Sequence, residues 1–304
     1  MKKPLWITGL ITLAVLTVAA CATVETATTL ATAVGEQAGV LSRAEGEAIR
    51  KSTVAVSRSL EDFTPEQEYY IGRSVGAVVI SKYPAYANAQ VNQYINTLGQ
   101  TLAAASDKPE VFGGYHFLVL DSDDINAFAT PSGLIFVTKG LIRCCPTEDA
   151  LAAVLAHEIG HVQLRHGMQS IEKARVTEAL TVIATEGAKT LGSPEVAQLT
   201  QTFSGAISDI AKSMINNGYS RTFEYQADKA AVVLVQRVGY NPRGLIEMLT
   251  FMEKKLKPGG LDFAKTHPAP QDRIIEIQSD NRTFIPVATP KIRQERFLKA
   301  IGHI

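Results

Sequence analysis

The sequence predicts a mostly helical α+β fold with a small β-sheet. Helical periodicity recurs on both sides of a short region, between residues 115 and 138, that holds three strand candidates. The 304 residues suffice for one large domain or two small ones. Because 30 basic residues balance 30 acidic ones, the chain lacks the charge that a nucleic-acid partner requires.

The first 20 residues have the pattern of a secretory signal. Lys2 and Lys3 precede the apolar run Leu5–Ala20, which is short for a membrane span and ends in small residues before Cys21. This ending resembles the lipobox of bacterial lipoproteins. The resemblance implies cleavage before Cys21 and lipidation of its thiol, and Ala22 then favours the outer membrane. An uncleaved N-terminal anchor is the alternative.

Residues 21–62 are predicted to carry the lipidated cysteine, a tether and then an exposed helix, because large apolar residues are few. The folded domain is predicted to span residues 63–304. Its first helix should start at Thr64-Pro65-Glu66-Gln67, which has the spacing of a capping box, and run to about Lys82.

Further elements follow from periodicity and turn residues. A second helix is predicted over about Ala85–Ala105. The strand candidates are Tyr115–Leu120, Ala127–Thr130 and Leu134–Thr138, with a turn at Pro131–Gly133. The helices predicted after residue 168 are Gln169–Leu191, Pro194–Asn216, Arg221–Val238, Pro242–Lys255 and Pro270–Ser279.

The central motif is His-Glu-Ile-Gly-His at residues 157–161. A helix is predicted here, with Thr147 near its start, and the spacing of four then places His157 and His161 on one face. Two imidazoles in this arrangement can share a zinc ion, and Glu158 can act as general base on water at the site. A pair of buried structural histidines is the alternative.

A third metal ligand is predicted downstream. Glu224 and Asp228 are four residues apart, so both lie on one face of a helix. Glu224 can bind zinc, while Asp228 can accept a hydrogen bond from a ligand imidazole. A solvated acidic helix face is the alternative. Cys144 and Cys145 are poor ligand candidates beside this set, and a strained disulfide, an intermolecular bridge or two buried thiols would fit their pattern.

With these motifs, the chain resembles the zinc metallopeptidases of the HtpX and CAAX prenyl protease family, and among them the bacterial periplasmic and lipoprotein members. The resemblance covers about residues 63–280, and its motifs are Asn126–Thr138, His157–His161, Glu224–Asp228 and Thr266–Pro268 with Arg273. It implies a gluzincin-like zincin domain, one zinc ion per chain and endopeptidase activity. It also implies a role in quality control of envelope proteins, with the outer-membrane assembly machinery as a partner.

The closing motif supplies two further candidate residues. His267 and Arg273 could stabilise the oxyanion of a tetrahedral intermediate. His267 could instead fill the open zinc position and hold the enzyme latent. A surface-loop histidine and an ion-paired arginine are the alternatives. His166 and His303 are predicted to be surface residues.

The segment Asn126, Ala127, Phe128 and Ala129 is a candidate substrate strand. An exposed strand edge beside a zinc site can pair with an extended or unfolded protein substrate. An ordinary inner hairpin is the alternative.

Together these patterns predict a lipid-anchored zinc metalloendopeptidase of the periplasm. A non-catalytic scaffold or chaperone that keeps a zinc-bound fold is the competing class, and Glu158 argues against it. An aminopeptidase would need an acidic group for the free amine of its substrate, and the corresponding motif is not found.

Overall fold

The computed structural model divides the chain into two compact units. The larger unit comprises Phe63–Ser170 and Ile207–Ile304, and the smaller one includes helix α1, Val24–Gln37. Cys21, the predicted signal segment and most of the two helices predicted between Gln169 and Asn216 lie outside the described residues. The described positions are 24–39, 42–44, 46–47, 50, 63–170, 211, 215, 218–255, 267–279 and 287–304.

Helix α1 corrects the prediction of a tether at the start of residues 21–62. The segment is rich in alanine and threonine, and alanine has the highest helix propensity of the common residues. Arg50 donates hydrogen bonds to Thr32 Oγ1 at 2.9 Å and to Glu36 Oε1 at 2.8 Å, on the side of the helix that is least exposed. The paucity of large apolar residues therefore did not prevent helix formation.

Helix α2, Pro65–Lys82, begins as predicted. The Thr64 hydroxyl accepts from the Gln67 amide, and the Gln67 side chain accepts from the Thr64 amide, so the capping box is present. Helix α3, Ala89–Ala104, begins four residues later than predicted. Its N-cap is Asn88, whose side chain accepts from the amide of Val91.

A mixed three-stranded sheet follows, with the strand order β1-β3-β2. Strand β3, Leu134–Thr138, is central, and it pairs in parallel with β1, His116–Leu120, and antiparallel with β2, Ala127–Ala129. The predicted turn between β2 and β3 is a 3-10 turn over Pro131–Gly133. The side chains of Asn92 and Asn96 accept from the amides of Val119 and Phe117, so α3 covers the free edge of β1.

A short helix, α4 at Lys139–Ile142, leads to the two adjacent cysteines. Cys144 and Cys145 are free and buried, which agrees with the alternative of two buried reduced thiols. Burial raises the pKa of Cys144 to about 11, so the thiol is protonated at neutral pH.

Helix α5, Glu148–Gln163, lies at the centre of the larger unit. Thr147 is its N-cap, with its hydroxyl accepting from the amide of Ala150. Every residue from Glu148 to Val162 is buried, so the helix is surrounded on all sides rather than amphipathic. Helices α3, α6 and α7 and strand β2 all pack against it. Side chains on α5 are therefore held by packing from several directions.

The C-terminal part of the chain is helical in its described residues. These helices are α6 at Arg221–Arg237, α7 at Arg243–Lys255, α8 at Pro270–Ser279 and α9 at Lys291–Ile301. The first three match the predictions to within one residue, whereas α9 was not predicted. Among the described residues, no helix has the combined length and hydropathy of a membrane span. The predicted class, a mostly helical α+β fold with a small sheet, is confirmed.

Candidate metal centre

Two histidines on successive turns of α5 form the base of the site. His157 and His161 are both buried, and their Nε2 atoms lie 3.1 Å apart. The imidazole rings meet edge to face, with centroids 4.7 Å apart. The two Nε2 lone pairs can therefore point to one position, as the spacing in the sequence indicated.

Glu224, on α6, brings a carboxylate to the same position. Its Oε2 lies 3.5 Å from His157 Nε2, and its Oε1 lies 3.5 Å from His161 Nε2. The side chain is 0% exposed, and neither oxygen has a hydrogen-bond partner in the part of the chain that the structure describes. Burial raises the pKa of this carboxyl group, although the nearby His157 and Arg273 act in the opposite direction. A divalent cation between the carboxylate and the imidazoles would satisfy all of these atoms, so the residues fit a metal.

His267 completes a group of four possible ligands. Its Nε2 lies 3.6 Å from Glu224 Oε2, and its side chain is 7% exposed. One ligand atom from each of His157, His161, Glu224 and His267 lies within 4.8 Å of the other three. The structure therefore places His267 where a fourth metal ligand could stand, which is the arrangement of the predicted latent state.

Glu158 lies next to His157 on the buried helix. Burial raises its pKa to about 7, and the nearby charge of Glu224 acts in the same direction. A carboxyl group with this pKa can exchange a proton near neutral pH, as a general base and acid requires.

Asp228 accepts a hydrogen bond from the other ring nitrogen of His157. The distance from Nδ1 to Oδ1 is 2.9 Å, which leaves Nε2 of His157 free to face the cluster. Arg273 holds the carboxylate from the other side, donating from Nε to Oδ2 at 2.8 Å and from Nη2 to Oδ1 at 2.5 Å. Burial alone would raise the pKa of Asp228, but the charge of Arg273 and the bond from His157 hold it well below the usual range.

These bonds change the interpretation of Arg273. The oxyanion role predicted from the sequence needs a guanidinium that faces the substrate, whereas this one is fully buried and forms a bidentate pair with Asp228. Arg273 acts on the site through Asp228 and His157, and it is a positioning residue. The sequence did not reveal this pair, because Arg273 and Asp228 are 45 residues apart along the chain.

The prediction for His166 is wrong. Its side chain is buried rather than exposed, and its Nδ1 lies 2.9 Å from Nδ1 of His161. Helix α5 ends at Gln163, Arg165 adopts a positive φ of 55°, and His166 is thereby turned back toward the site. Leucine and arginine at residues 164 and 165 gave no signal of this turn. His303 is exposed, as predicted.

The predicted substrate strand lies at one edge of the described sheet. Asn126, Ala127, Phe128 and Ala129 form or adjoin β2, and the side chains of all four are buried. The Asn126 side chain accepts from the amide of Ala127, and β2 packs on α5. The burial includes the main chain of these residues, so a peptide could pair with β2 only if the parts of the protein that cover it moved.

A buried helix with two histidines and an adjacent glutamate, completed by a glutamate from a second helix, defines a metallopeptidase of the His-Glu-x-x-His class. Comparison with known families agrees with this class. The family model described as peptidase family M48 matches residues 89–281. The chain belongs to this family, which confirms the resemblance noted from its motifs.

Several curated proteins are similar to the chain. The β-barrel assembly-enhancing protease of Escherichia coli (strain K12) is 28% identical over 227 residues, which cover 72% of the chain and 44% of that protein. The mitochondrial metalloendopeptidase OMA1 of Schizosaccharomyces pombe is 29% identical, covering 73% and 63%. Metalloprotease LoiP of E. coli is 28% identical, covering 64% and 72%. The chain therefore spans less than half the length of the first of these relatives.

Proposed function

We propose that the chain is a zinc metalloendopeptidase that hydrolyses misfolded or misassembled proteins of the bacterial cell envelope. The observation that carries the proposal is the Glu224 carboxylate, which is fully buried without a hydrogen bond and faces two ligand imidazoles. Membership in a peptidase family supports the same reaction.

Zinc suits the residues that are present. Two imidazoles and one carboxylate are a common protein ligand set for catalytic zinc, and His157, His161 and Glu224 would provide it. Bound zinc would supply Lewis-acid polarisation of water and of the substrate carbonyl. Asp228 and Arg273 keep His157 in the tautomer that the metal requires.

Glu158 would carry the proton. In its ionised form it accepts a proton from the attacking water, and in its protonated form it returns that proton to the leaving amine. This carboxyl group favours catalysis over the non-catalytic scaffold, which would not require it.

Extended protein segments would be the substrates. The main chain of β2, at the edge of the described sheet beside α5, would pair with an unfolded segment once these buried residues are uncovered, and would then recognise backbone rather than sequence. Such recognition suits misfolded proteins, which expose unpaired backbone. Similarity to the β-barrel assembly-enhancing protease of E. coli supports a partner in outer-membrane β-barrel assembly.

The test compares wild type, Glu158→Gln and Glu224→Ala in casein digestion, with zinc content measured for each. Glu158→Gln should retain zinc and lose at least a hundredfold in cleavage rate, because the general base is removed. Glu224→Ala should lose stoichiometric zinc.

The exposed Glu66→Gln is the matched control and should behave as wild type. Unchanged cleavage in Glu158→Gln would contradict the mechanism, and inactive wild type with bound zinc would favour the scaffold.

The N-terminal segment supports a lipid-anchored location in the periplasm. A signal of this type would place Cys21 at the mature N-terminus, with the thiol lipidated and the protein attached to the outer membrane. Mass spectrometry of the mature protein should find a lipidated Cys21 as its first residue, and Cys21→Ser should abolish the lipid. A mature N-terminus that retains residues before Cys21 would contradict this location.

A further inference from the structure

The Nδ1 atoms of the two histidines in the metal centre have different hydrogen-bond partners. His157 Nδ1 donates to a carboxylate, that of Asp228. His161 Nδ1 faces another imidazole instead, with 2.9 Å between it and His166 Nδ1. On its far side, His166 Nε2 lies 3.1 Å from Oε1 of Gln226. A series of three hydrogen-bonded side chains thus runs from the metal centre to Gln226, which is exposed.

The positions of the protons in this series of hydrogen bonds follow from the need of His161 to bind a metal. His161 must present the lone pair of Nε2 to the centre, so its proton is on Nδ1. That proton needs an acceptor, so His166 Nδ1 must carry a lone pair and His166 Nε2 must carry the proton. His166 Nε2–H then donates a hydrogen bond to the amide oxygen of Gln226, which can only accept. Each bond in the chain then has one donor and one acceptor.

We propose that His166 is a positioning residue that holds His161 in its metal-binding tautomer, and that Gln226 orients His166 for this task. The inference rests on the proposed metal site. It assigns a role to a residue outside the His-Glu-x-x-His motif, the third-ligand helix and the closing motif.

The surroundings of His166 suit this role. The residue is 0% exposed, and its ring stacks on Phe223 with an interplanar angle of 5° and centroids 4.3 Å apart. Phe223 precedes Glu224 on α6, so the helix that supplies the third ligand also packs against the support of the second. Tyr219 stacks on His161 itself, with centroids 4.7 Å apart. The ring plane of His166 is therefore fixed by packing, and its nitrogens select the tautomer.

A neutral support differs from the charged one behind His157. The pair of Asp228 and Arg273 places a carboxylate against His157, which makes that imidazole a stronger electron donor. His166 orients His161 without adding a negative charge to a site that already contains Glu158 and Glu224. The two ligands should therefore contribute unequally to metal affinity.

The test uses two substitutions in the full chain. His166→Phe keeps a flat ring that can stack on Phe223 but removes the acceptor. His166→Asn places a side-chain oxygen near the position of Nδ1 and restores the acceptor.

Zinc affinity is measured by competition with a chromophoric chelator, and thermal unfolding of the metal-free proteins shows that both variants are folded. His166→Phe should bind zinc about tenfold or more weakly than wild type, and His166→Asn should stay within about threefold.

Nitrogen-15 NMR of histidine-labelled, zinc-loaded wild type provides a measurement that needs no substitution. His161 should show a proton on Nδ1 that is hydrogen-bonded and protected from exchange. Equal zinc affinity in wild type and His166→Phe, or a His161 without a proton on Nδ1, would overturn the inference while the metal site stands. Wild type that binds no zinc would overturn the proposed function, and the inference with it.

Discussion

At the scale of single residues, the site is a set of buried polar groups with assigned partners. Asp228 has His157 and Arg273, and His161 has His166. Glu224 differs from these residues, because both of its buried oxygens lack a hydrogen-bond partner among the described residues. A buried carboxylate without a hydrogen bond costs free energy unless a cation compensates its charge. Glu224 therefore indicates where a metal ion would bind.

His267 gives a prediction at this scale. Its imidazole stands 3.6 Å from Glu224 Oε2, within the group of possible ligands. If it fills the fourth position at rest, it keeps water from Glu158, and His267→Ala should raise the cleavage of a fluorogenic peptide severalfold with zinc retained. If it stabilises the oxyanion instead, the same variant should lose roughly a hundredfold in kcat.

The measurement is a comparison of cleavage rates for wild type and His267→Ala at equal zinc occupancy. The exposed His303→Ala serves as a matched control and should leave the rate unchanged. A rate for His267→Ala within about twofold of wild type would contradict both roles.

At the scale of elements, the site depends on the close crossing of α5 and α6. Gly160 lies between the two ligand histidines of α5, and Ala227 lies between Glu224 and Asp228 on α6. A methyl group added at Gly160 would lie 3.1 Å from the Ala227 carbonyl oxygen and 3.2 Å from its Cα. Glycine at this position thus lets the two backbones approach closely enough for ligands from both helices to meet.

Gly160→Ala should therefore separate the two helices by a few tenths of an ångström. We expect zinc affinity to fall roughly tenfold, because the carboxylate of Glu224 moves away from both imidazoles. The change would oppose the gain of up to about 1 kcal/mol that alanine brings within a helix, so unfolding and zinc titration must be measured separately.

Gly76→Ala on α2 is the matched control for this substitution. Its added methyl group would meet the ends of the Leu134 and Phe136 side chains, at 3.2 and 3.4 Å, rather than a backbone that carries metal ligands. Zinc affinity should not change in the control. Equal zinc affinity in Gly160→Ala and wild type would show that the crossing tolerates the methyl group.

At the scale of the larger unit, the C-terminal helix α9 holds the start of α5. Asp149, in the first turn of α5, is buried and accepts from Arg293 at 2.7 Å. The neighbouring Glu148 is buried as well, and Arg296, Tyr94 and Tyr240 donate to it. Burial would raise the pKa of Glu148, but these hydrogen bonds lower it below its usual value. The acidic first turn of α5 therefore binds distant parts of the chain rather than solvent.

Arg293→Ala tests the contribution of this contact to stability. Loss of the guanidinium leaves Asp149 buried, with Thr289 and the amide of Asn241 as its remaining partners among the described residues. We expect the free energy of unfolding to fall by roughly 2–3 kcal/mol at pH 7, measured by urea denaturation. Lys299→Ala, an exposed position on the same helix, should change it by less than about 0.5 kcal/mol. A similar loss in both variants would assign the effect to the helix rather than to the ion pair.

The sequence by itself determined the features that depend on local geometry. A spacing of four residues on a helix was enough to bring His157 to His161 and Glu224 to the same face as Asp228. The capping box at Thr64 and the bounds of the central strand were equally local, and the structure agrees with both. Family resemblance and fold class followed from these motifs, and both are confirmed.

Only the tertiary structure decided the features that depend on distant segments meeting. The hydrogen bonds between Arg273 and Asp228 join two helices. The position of Arg273 along the chain gave no indication that its guanidinium would be buried against Asp228. His166 looked like a surface residue because the turn at Arg165 has no sequence signal. Helix α9 was not predicted, and it is held by Phe297, Ile301 and the ion pairs of Arg293 and Arg296 with buried carboxylates of α5. Periodicity reports which residues share a face, whereas only packing determines what that face contacts.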